Sequence, residues 1–352
     1  MLKTGVLYGK YVHKYGIFFN KKNINIRKKT LKKLSFFKKI SPDSKILEIG
    51  GTGQDAVAFA ELGFDTTFID LSKENVKLTK NFNKKKFKLK VINSDFLTYT
   101  FKQKFDVIRS RGVIHHTTSP HKFFNKVNYL LKNEGFFHFN LYRSGVFYYW
   151  FVENIRKISK TFNFKKFLKI LLNTKISKSK EKKIGNNTIK SKSKFYNIII
   201  DDLFVPILNP ANYFDIVKDL KNLSFKIIKE NKIKHRVDHD LLYPDFPLKK
   251  NHIVFDCQKK LEKKIDIFNY TLRKNEETKI TEADKIINKN NELFKKIIKK
   301  NLKSKFYNKE SFIKSIITLY LNCYLLSVKK VNKIYRHKKL ENELLRLNHL
   351  YQ

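Results

Sequence analysis

The segment Leu47-Glu48-Ile49-Gly50-Gly51-Thr52-Gly53 constrains the fold of this chain more than any other part of it. A short apolar run ends at its first glycine, and residues 56–63 follow with helical spacing. Glycines in such a turn let backbone N–H groups approach a ligand without interference from a Cβ atom. The segment therefore predicts a strand, a ligand-binding turn and a helix, which together open a βαβ unit.

The same alternation of strands and helices continues along the chain. Further strands are predicted at 66–70, 88–95, 105–112 and 136–142, with helices between them, and two later strands complete the sheet near residue 260. Strands that alternate with helices at short spacing form a parallel sheet, with ligand at the carboxyl ends of the strands. The predicted class is α/β, with a Rossmann-like, doubly wound, mostly parallel seven-stranded sheet, a helical insert and a C-terminal helical extension.

Five parts are predicted along the chain. They are an N-terminal basic helical segment (1–40), the main part of the core (41–145), a helical insert with a flexible linker (146–200), the remainder of the core (201–260) and a basic helical C-terminal extension (261–352). The linker prediction rests on residues 173–194, whose Lys, Ser and Asn content cannot bury a core. The aromatic run Phe147–Phe151 has two interpretations, a lid over the pocket or a helix packed on the sheet.

The chain is strongly basic, with 76 Lys and Arg residues against 31 Asp and Glu residues and a net charge of +45. Most of the excess lies in the two flanks and the insert. Such a field attracts RNA, DNA, anionic lipid or acidic metabolites. A purely compositional origin of the positive charge is equally compatible with the sequence. Lys, Asn, Ile and Phe are all abundant, as expected from an AT-rich coding sequence.

Cysteine usage and hydropathy bear on the compartment. Two cysteines, Cys257 and Cys323, cannot form a disulfide framework, which favours a reducing compartment and predicts a cytoplasmic protein. The longest apolar run, Ile316–Val328, has 13 residues where a membrane-spanning helix needs about 20, so no transmembrane segment is predicted. No metal site is predicted, because the polar residues 235–240 are interpreted as a solvated loop rather than a ligand set.

The acid that ends the second strand narrows the choice of cofactor. Asp70 follows Gly53 by 17 residues, a position from which carboxylates commonly accept hydrogen bonds from ribose hydroxyls. A dinucleotide-binding G-x-G-x-x-G motif is absent, and Asp55 would oppose a pyrophosphate. A cationic ligand with one nucleoside and no phosphate fits better.

These residues resemble the motifs of class I S-adenosylmethionine-dependent methyltransferases. The resemblance rests on ILEIGGTG, TTFIDLS, VINSDF, FDVIRSRGVIHHTTSP and LLKNEGFFHFNLYRSG, covers 45–145 well and continues more loosely to about 260. It implies that 41–145 binds S-adenosyl-L-methionine. By the same resemblance, Glu48, Gly50, Gly51 and Gly53 bind the methionine end, Asp70 binds the ribose, and Asp95 with Phe96 binds the adenine. The glycine loop is one residue shorter than the usual acid-x-Gly-x-Gly-x-Gly.

Two pairs of residues are candidates for the acceptor side of the site. His115 and His116 follow the fourth strand and could act as a base, which methyl transfer needs only when the acceptor atom bears a proton. The alternative is that they cap or pack the following helix. Tyr142 and Arg143 follow the fifth strand and could bind substrate, whereas a surface position is the alternative for Arg143.

The predicted function is methyl transfer from S-adenosylmethionine to a small-molecule or lipid- or glycan-linked acceptor. One alternative is an RNA methyltransferase that uses the basic flanks, and another is a non-enzymatic, basic peripheral-membrane or scaffold protein. The intact acids Glu48, Asp70 and Asp95 argue against the non-enzymatic alternative. The sequence has no aromatic RNP motif, which weakens the RNA alternative.

Overall fold

The computed structural model describes residues 4–8, 19–84, 86–144, 147–174, 192–230, 252–260, 282–304, 309–328 and 333–350. Contacts divide the chain into two compact units. Unit 1 comprises 1–144, 205–236 and 252–266, and unit 2 comprises 145–204, 237–251 and 267–352. The middle of the predicted linker (175–191) and the polar residues 235–240 lie outside the described residues.

The helices and strands are as follows. The strands are β1 (Lys45–Ile49), β2 (Asp65–Asp70), β3 (Leu89–Asn93), β4 (Phe105–Arg111), β5 (Leu131–Tyr142), β6 (Phe225–Glu230) and β7 (His252–Lys259). The helices are α1 (Thr4–Leu7), α2 (Lys21–Leu31), α3 (Gln54–Glu61), α4 (Lys73–Asn83), α5 (Pro120–Leu130), α6 (Phe147–Ser159), α7 (Phe164–Asn173), α8 (Lys192–Phe204), α9 (Tyr213–Asn222), α10 (Glu282–Ser304), α11 (Glu310–Val328) and α12 (Lys333–Leu350).

Unit 1 contains a seven-stranded sheet in the order β3-β2-β1-β4-β5-β7-β6. The pairs from β3 through β5 are parallel, and β7 runs antiparallel to both β5 and β6. The predicted Rossmann-like, mostly parallel sheet is therefore confirmed. Strand β1, which lies between β2 and β4, is almost wholly buried, as expected for a parallel strand covered on both faces.

Helices cover both faces of this sheet. One face packs Leu47 and Ile49 with apolar residues of α5 and α9, and the other packs Ile46 with residues of α2 and α3. Helix starts follow local signals: the Ser72 and Ser119 side chains accept backbone N–H bonds in the first turns of α4 and α5. The carboxyl ends of β1, β2, β3 and β4 consequently lie along one edge of the sheet.

Helix α2 covers only part of the N-terminal basic helical segment predicted over 1–40. Helix α2 ends at Leu31, and a short 3₁₀ turn follows at Phe37–Lys39. The chain leaves the helical path because Ser35 donates a hydrogen bond to Asp256 at 2.5 Å and Phe36 stacks on Phe136 at 5.8 Å. Tertiary contacts thus override the local helical pattern.

Unit 2 is helical and includes α6, α7, α8, α10, α11 and α12. At its centre the hydroxyls of Tyr148 and Tyr320 donate hydrogen bonds to the buried Asp202 carboxylate. Trp150 packs edge-on to Phe294. The aromatic run of α6 therefore contacts the C-terminal helices of its own unit, an association that neither interpretation of this run included. No helix among the described residues is long and apolar enough to cross a membrane.

Candidate cofactor and active site

The glycine loop joins β1 to α3 at the carboxyl edge of the sheet. Gly50, Gly51 and Gly53 have φ values of 68°, 80° and 75°, in the left-handed region that favours glycine. A Cβ atom at Gly50 would lie 2.4 Å from Val113 Cγ2, and one at Gly53 would lie 2.0 Å from Thr79 Oγ1. A Cβ at Gly51 would meet no atom within 4 Å. Gly51 therefore borders open space from which a ligand can reach the backbone.

Asp70 ends the neighbouring strand β2. Its Oδ1 accepts hydrogen bonds from the Ser72 amide at 2.6 Å and from Asn75 Nδ2 at 3.4 Å. Its Oδ2 accepts no hydrogen bond from any residue that the structure describes. Burial raises the pKa of Asp70 to about 7, against the lowering effect of the bonds from Ser72 and Asn75. The carboxylate is thus fixed through one oxygen and has the other available for a ligand.

Asn75 connects this acid to the glycine loop. Its Nδ2 also donates to the carbonyl oxygen of Gly51 at 2.9 Å, and the side chain is buried in the first turns of α4. Asn75 is not among the site residues predicted from the sequence. The only signal was a polar residue on the face of α4 that packs on the sheet.

Asp95 and Phe96 follow β3, the next strand along the edge. Asp95 Oδ1 accepts a hydrogen bond from the Leu97 amide at 2.8 Å, which fixes the turn. The Phe96 ring is buried and packs on Phe123 with centroids 4.7 Å apart. Phe96 therefore supports the turn from the core, and Asp95 is the more accessible of the two side chains.

Glu48, near the end of β1, is part of a buried cluster of charged side chains. Arg109 on β4 donates from Nη1 to Glu48 Oε1 at 2.6 Å and to Asp55 Oδ2 at 2.9 Å. Burial raises the pKa of Glu48 to about 7, although Arg109 acts to lower it. Burial also acts to raise the pKa of Asp55, but Arg109, Arg27 and Arg111 outweigh it and lower that pKa to about 2. The negative charge of Asp55 is compensated by these arginines. It would therefore oppose a bound pyrophosphate less strongly than the sequence alone suggests.

The Glu48–Arg109 pair belongs to a row of ionisable residues that crosses four strands at one register. Glu48 on β1 is paired with Arg109 on β4, Arg109 with His138 on β5, and His138 with Asp256 on β7. All four side chains are buried. His138 Nδ1 and Asp256 Oδ1 form a short hydrogen bond. We call these four residues the charged row.

His115 and His116 lie in a 3₁₀ turn, Ile114–His116, after β4. The His115 ring is buried and stacks on Tyr142 with centroids 3.6 Å apart. Its Nδ1 accepts a hydrogen bond from the Tyr142 amide at 3.1 Å, so this nitrogen carries no proton. His115 is thus held against Tyr142, the last residue of β5.

His116 is more accessible than His115. Its Nδ1 lies 2.9 Å from the carbonyl oxygen of Ile207, and its Nε2 lies 2.7 Å from the Tyr8 hydroxyl. A carbonyl only accepts, so Nδ1 carries the proton, and in the neutral ring Nε2 then accepts from Tyr8. The two histidines therefore have opposite tautomers.

Tyr142 and Arg143 end β5 beside the histidines. Tyr142 stacks on His115 and remains partly exposed, whereas Arg143 is only 1% exposed. The alternative of a surface position for Arg143 is therefore wrong. The segment 207–211 covers this end of the site, because Asn209 N donates to the His115 carbonyl at 2.7 Å and Ala211 N donates to the Tyr142 carbonyl at 2.8 Å.

Comparison with known proteins bears directly on this edge of the sheet. Residues 47–139, which contain the glycine loop, Asp70, Asp95 and both histidines, match the family described as a methyltransferase domain. Over this range the chain is therefore similar to a methyltransferase domain. The comparison with curated proteins finds no match.

Several solved methyltransferase structures are similar to this chain at low identity. The N-methyltransferase NodS from Bradyrhizobium japonicum is 12% identical, covering 69% of this chain and 99% of that protein, with a TM-score of 0.38. Magnesium protoporphyrin IX methyltransferase from Synechocystis is 13% identical over 72% and 91%, with a TM-score of 0.39. A 1,6-didemethyltoxoflavin N1-methyltransferase from Burkholderia thailandensis is 12% identical over 71% and 84%, with a TM-score of 0.40.

The site at this edge of the sheet also includes residues outside the matched range. The histidine turn is contacted by Tyr8, Ile207 and Asn209, none of which is among the site residues predicted from the sequence. They lie about 90 residues or more from that turn along the chain, and no local periodicity reveals such contacts. Arg109 was also missed, although an arginine inside an apolar strand signals a buried acidic partner. Within the part of the chain that the structure describes, no group of three or more His, Cys, Asp or Glu residues could hold a metal ion.

Proposed function

We propose that this chain transfers the methyl group of S-adenosylmethionine to a small-molecule or lipid- or glycan-linked acceptor. The observation that supports this best is the succession of Gly51, Asp70 and Asp95 at the carboxyl ends of the adjacent strands β1, β2 and β3. A nucleoside with an amino-acid arm needs contacts in that order, because its three parts are linked in a line. When bound, S-adenosylmethionine supplies a sulfonium methyl group whose C–S electron pair stays on sulfur.

The residues at this edge fit that cofactor. Gly51 offers open space beside the loop backbone, and Asp70 Oδ2 can accept hydrogen bonds from ribose hydroxyls. Asp95, with the backbone of Phe96, would hold the adenine. Gly50 and Gly53 shape the loop. Glu48 stabilises the loop indirectly, through its ion pair with Arg109.

His116 is the better candidate for a base that takes a proton from the acceptor. Its Nε2 carries the lone pair that accepts the Tyr8 hydroxyl, and its side chain is partly exposed, whereas His115 is buried beneath Tyr142. We propose that His115 positions Tyr142, and that Tyr142 and Arg143 form the acceptor side of the site. The pair His115 and His116 thus has two different roles.

Replacement of Asp70 tests the assignment of the ribose site. Asp70→Ala removes a charged acceptor whose hydrogen bonds are each worth about 1.5–3 kcal/mol, so S-adenosylmethionine should bind about 10- to 100-fold more weakly at pH 8. The wild-type affinity should itself fall as the pH drops below about 7, because Asp70 becomes protonated there. Calorimetry measures both effects.

Asp65→Ala is the matched control, because Asp65 lies at the opposite end of β2. It should leave the affinity unchanged. Equal affinity of Asp70→Ala and wild-type protein would contradict the assignment of Asp70.

The acceptor class is tested by incubating the protein and methyl-labelled S-adenosylmethionine with a fractionated cell extract. Label in the small-molecule, lipid or glycan fractions supports the proposal. Label confined to RNA would replace it with the RNA alternative, and the absence of any transfer or binding would favour the non-enzymatic one.

A further inference from the structure

The turn that follows β3, residues 95–99, is the part of the proposed site assigned to the adenine. Its backbone folds back on Asp95: the Leu97 amide donates to Asp95 Oδ1 at 2.8 Å, and the Tyr99 amide donates to the Asp95 carbonyl oxygen at 3.0 Å. No residue that the structure describes bonds to Asp95 Oδ2 or to the Phe96 amide. The turn therefore has an acceptor oxygen and a donor N–H available to a ligand.

Lys126, on α5, contacts this turn with its ammonium group. Its Nζ donates to the Leu97 carbonyl oxygen at 2.9 Å and to the Tyr99 carbonyl oxygen at 2.7 Å. The same Nζ lies 5.3 Å from the centre of the Phe96 ring, within the range of a cation–π contact. Lys126 therefore joins the middle of the turn to its end.

The helix that carries Lys126 fixes where this side chain lies. Phe123 precedes it by three positions on α5, a spacing that puts both residues on one helix face. Phe123 is buried and packs on Phe96 with centroids 4.7 Å apart. Helix α5 thus contacts the turn with an apolar anchor and, beside it, a cation that is only partly exposed.

The charge of Lys126 also interacts with Asp95. Burial lowers the pKa of Lys126, and the negative charge of Asp95 acts against that lowering. A lysine on a protein surface ordinarily keeps its charged end in water, whereas this one donates to two backbone carbonyls of a single turn. A neutral side chain at this position would remove both hydrogen bonds and the attraction to Asp95 at once.

We propose that Lys126 is a positioning residue for the adenine, an inference that rests on the proposed methyltransferase function. It fixes the 95–99 turn so that Asp95 Oδ2 accepts from the exocyclic amine of adenine while the Phe96 amide donates to the neighbouring ring nitrogen. A purine with an oxygen in place of that amine sets an acceptor against the carboxylate and binds poorly. Lys126 thus enforces the preference of the site for an aminopurine without touching the ligand itself.

The first test compares S-adenosylhomocysteine with S-inosylhomocysteine, in which oxygen replaces the amine of adenine. Wild-type protein should prefer the adenosyl compound roughly 10- to 100-fold in calorimetry, because the inosyl compound loses a charge-assisted hydrogen bond to Asp95. Lys126→Met should lower this preference to about threefold or less, because a loosened turn can move the carboxylate away from the oxygen. A general loss of stability would weaken both ligands alike and leave the preference unchanged.

Lys122→Met is the matched control, because Lys122 is exposed one turn earlier on the same helix. It should keep the wild-type preference. Hydrogen exchange of the Leu97 and Tyr99 amides should be faster in Lys126→Met than in Lys122→Met and in wild-type protein. Either an unchanged preference or unchanged exchange in Lys126→Met would overturn the inference.

Chemical rescue separates the ammonium group from any effect of the substitution on folding. Lys126→Cys treated with bromoethylamine regains a side chain of lysine length that ends in an ammonium group, while Cys257 and Cys323 are buried and should resist alkylation. The preference for the adenosyl compound should be lost before treatment and regained after it. A treated protein that discriminates no better than the untreated variant would contradict the role of Lys126.

The outcomes separate this inference from the proposed function. If wild-type protein binds neither compound, the proposed function fails. If wild-type protein prefers the adenosyl compound and every variant keeps that preference, only the role of Lys126 fails. Equal binding of the two compounds by wild-type protein would overturn the inference through the assignment of Asp95, while leaving cofactor binding intact.

Discussion

Arg109 is the residue on which the buried acids of the sheet depend. It contacts both Glu48 and Asp55 and is itself fully enclosed. Removing one partner of a buried ion pair leaves an uncompensated charge, which is costlier than the loss of the attraction alone. The charged row is therefore more sensitive at Arg109 than at its ends.

We expect Arg109→Met to lower the free energy of unfolding by about 3–5 kcal/mol at pH 7. Arg111→Met is the matched control, because the Arg111 side chain is 40% exposed and contacts Asp55 at 3.5 Å, so its loss should cost about 1 kcal/mol or less. Urea unfolding monitored by circular dichroism measures both values. Similar losses in the two variants would show that the Arg109 cluster contributes little.

The turn between β1 and α3 contains some positions that matter for folding and another that matters for ligand binding. Its glycines share a left-handed backbone, but only Gly50 and Gly53 have no room for a Cβ atom. The turn therefore contains positions that serve packing and one position that serves the approach of a ligand.

Gly51→Ala and Gly53→Ala should rank in opposite orders for loss of stability and for loss of cofactor binding. Gly53→Ala combines left-handed strain with a clash against Thr79 and should cost about 2–3 kcal/mol of stability. Gly51→Ala carries only the strain, about 1 kcal/mol, but its methyl group enters the open space and should weaken S-adenosylmethionine binding more than Gly53→Ala does in folded protein. Thermal unfolding and calorimetry give the two rankings, and the reverse order would contradict this division.

The elements that carry local signals were predictable from the sequence. The β1–turn–α3 unit, the Ser72 cap and the acid at the end of β2 each depend on a few neighbouring residues, and the structure contains all three. The contacts of Tyr8 with His116 and of Glu48 with Arg109 were not predictable, since they join residues 108 and 61 positions apart. Periodicity defines which face of an element is buried, but not which distant side chain meets it.

At the scale of the whole molecule, helix formation was predictable in the insert and the C-terminal extension, but their association in one unit was not. The apolar sequence of helix α11 predicts that this helix is buried, and the structure buries most of its length. The sequence does not show which helices cover it. Tyr320 of α11 packs on Phe151 of α6, and Phe312 of α11 packs on Phe162, which follows α6. The extension and the insert thus belong to one compact unit.

The excess of positive charge leads to a prediction at this scale. The exposed lysines of α10 include Lys285, Lys296, Lys299 and Lys300. If the field has been selected, full-length protein should bind single-stranded RNA or anionic vesicles with an affinity that falls steeply with salt. Replacing these four lysines with Gln should flatten a plot of log affinity against log salt, as fluorescence anisotropy can show. No binding by wild-type protein near physiological salt would mark the charge as compositional.

The charged row has a consequence for the order in which the chain is made. Glu48, Arg109 and His138 leave the ribosome long before Asp256, because the 60 residues 145–204 of unit 2 intervene between β5 and β7. Until β7 emerges, His138 lacks its carboxylate partner and β5 is an open edge of the sheet. The nascent sheet therefore keeps β5 as an unpaired edge strand until the whole insert has been synthesised.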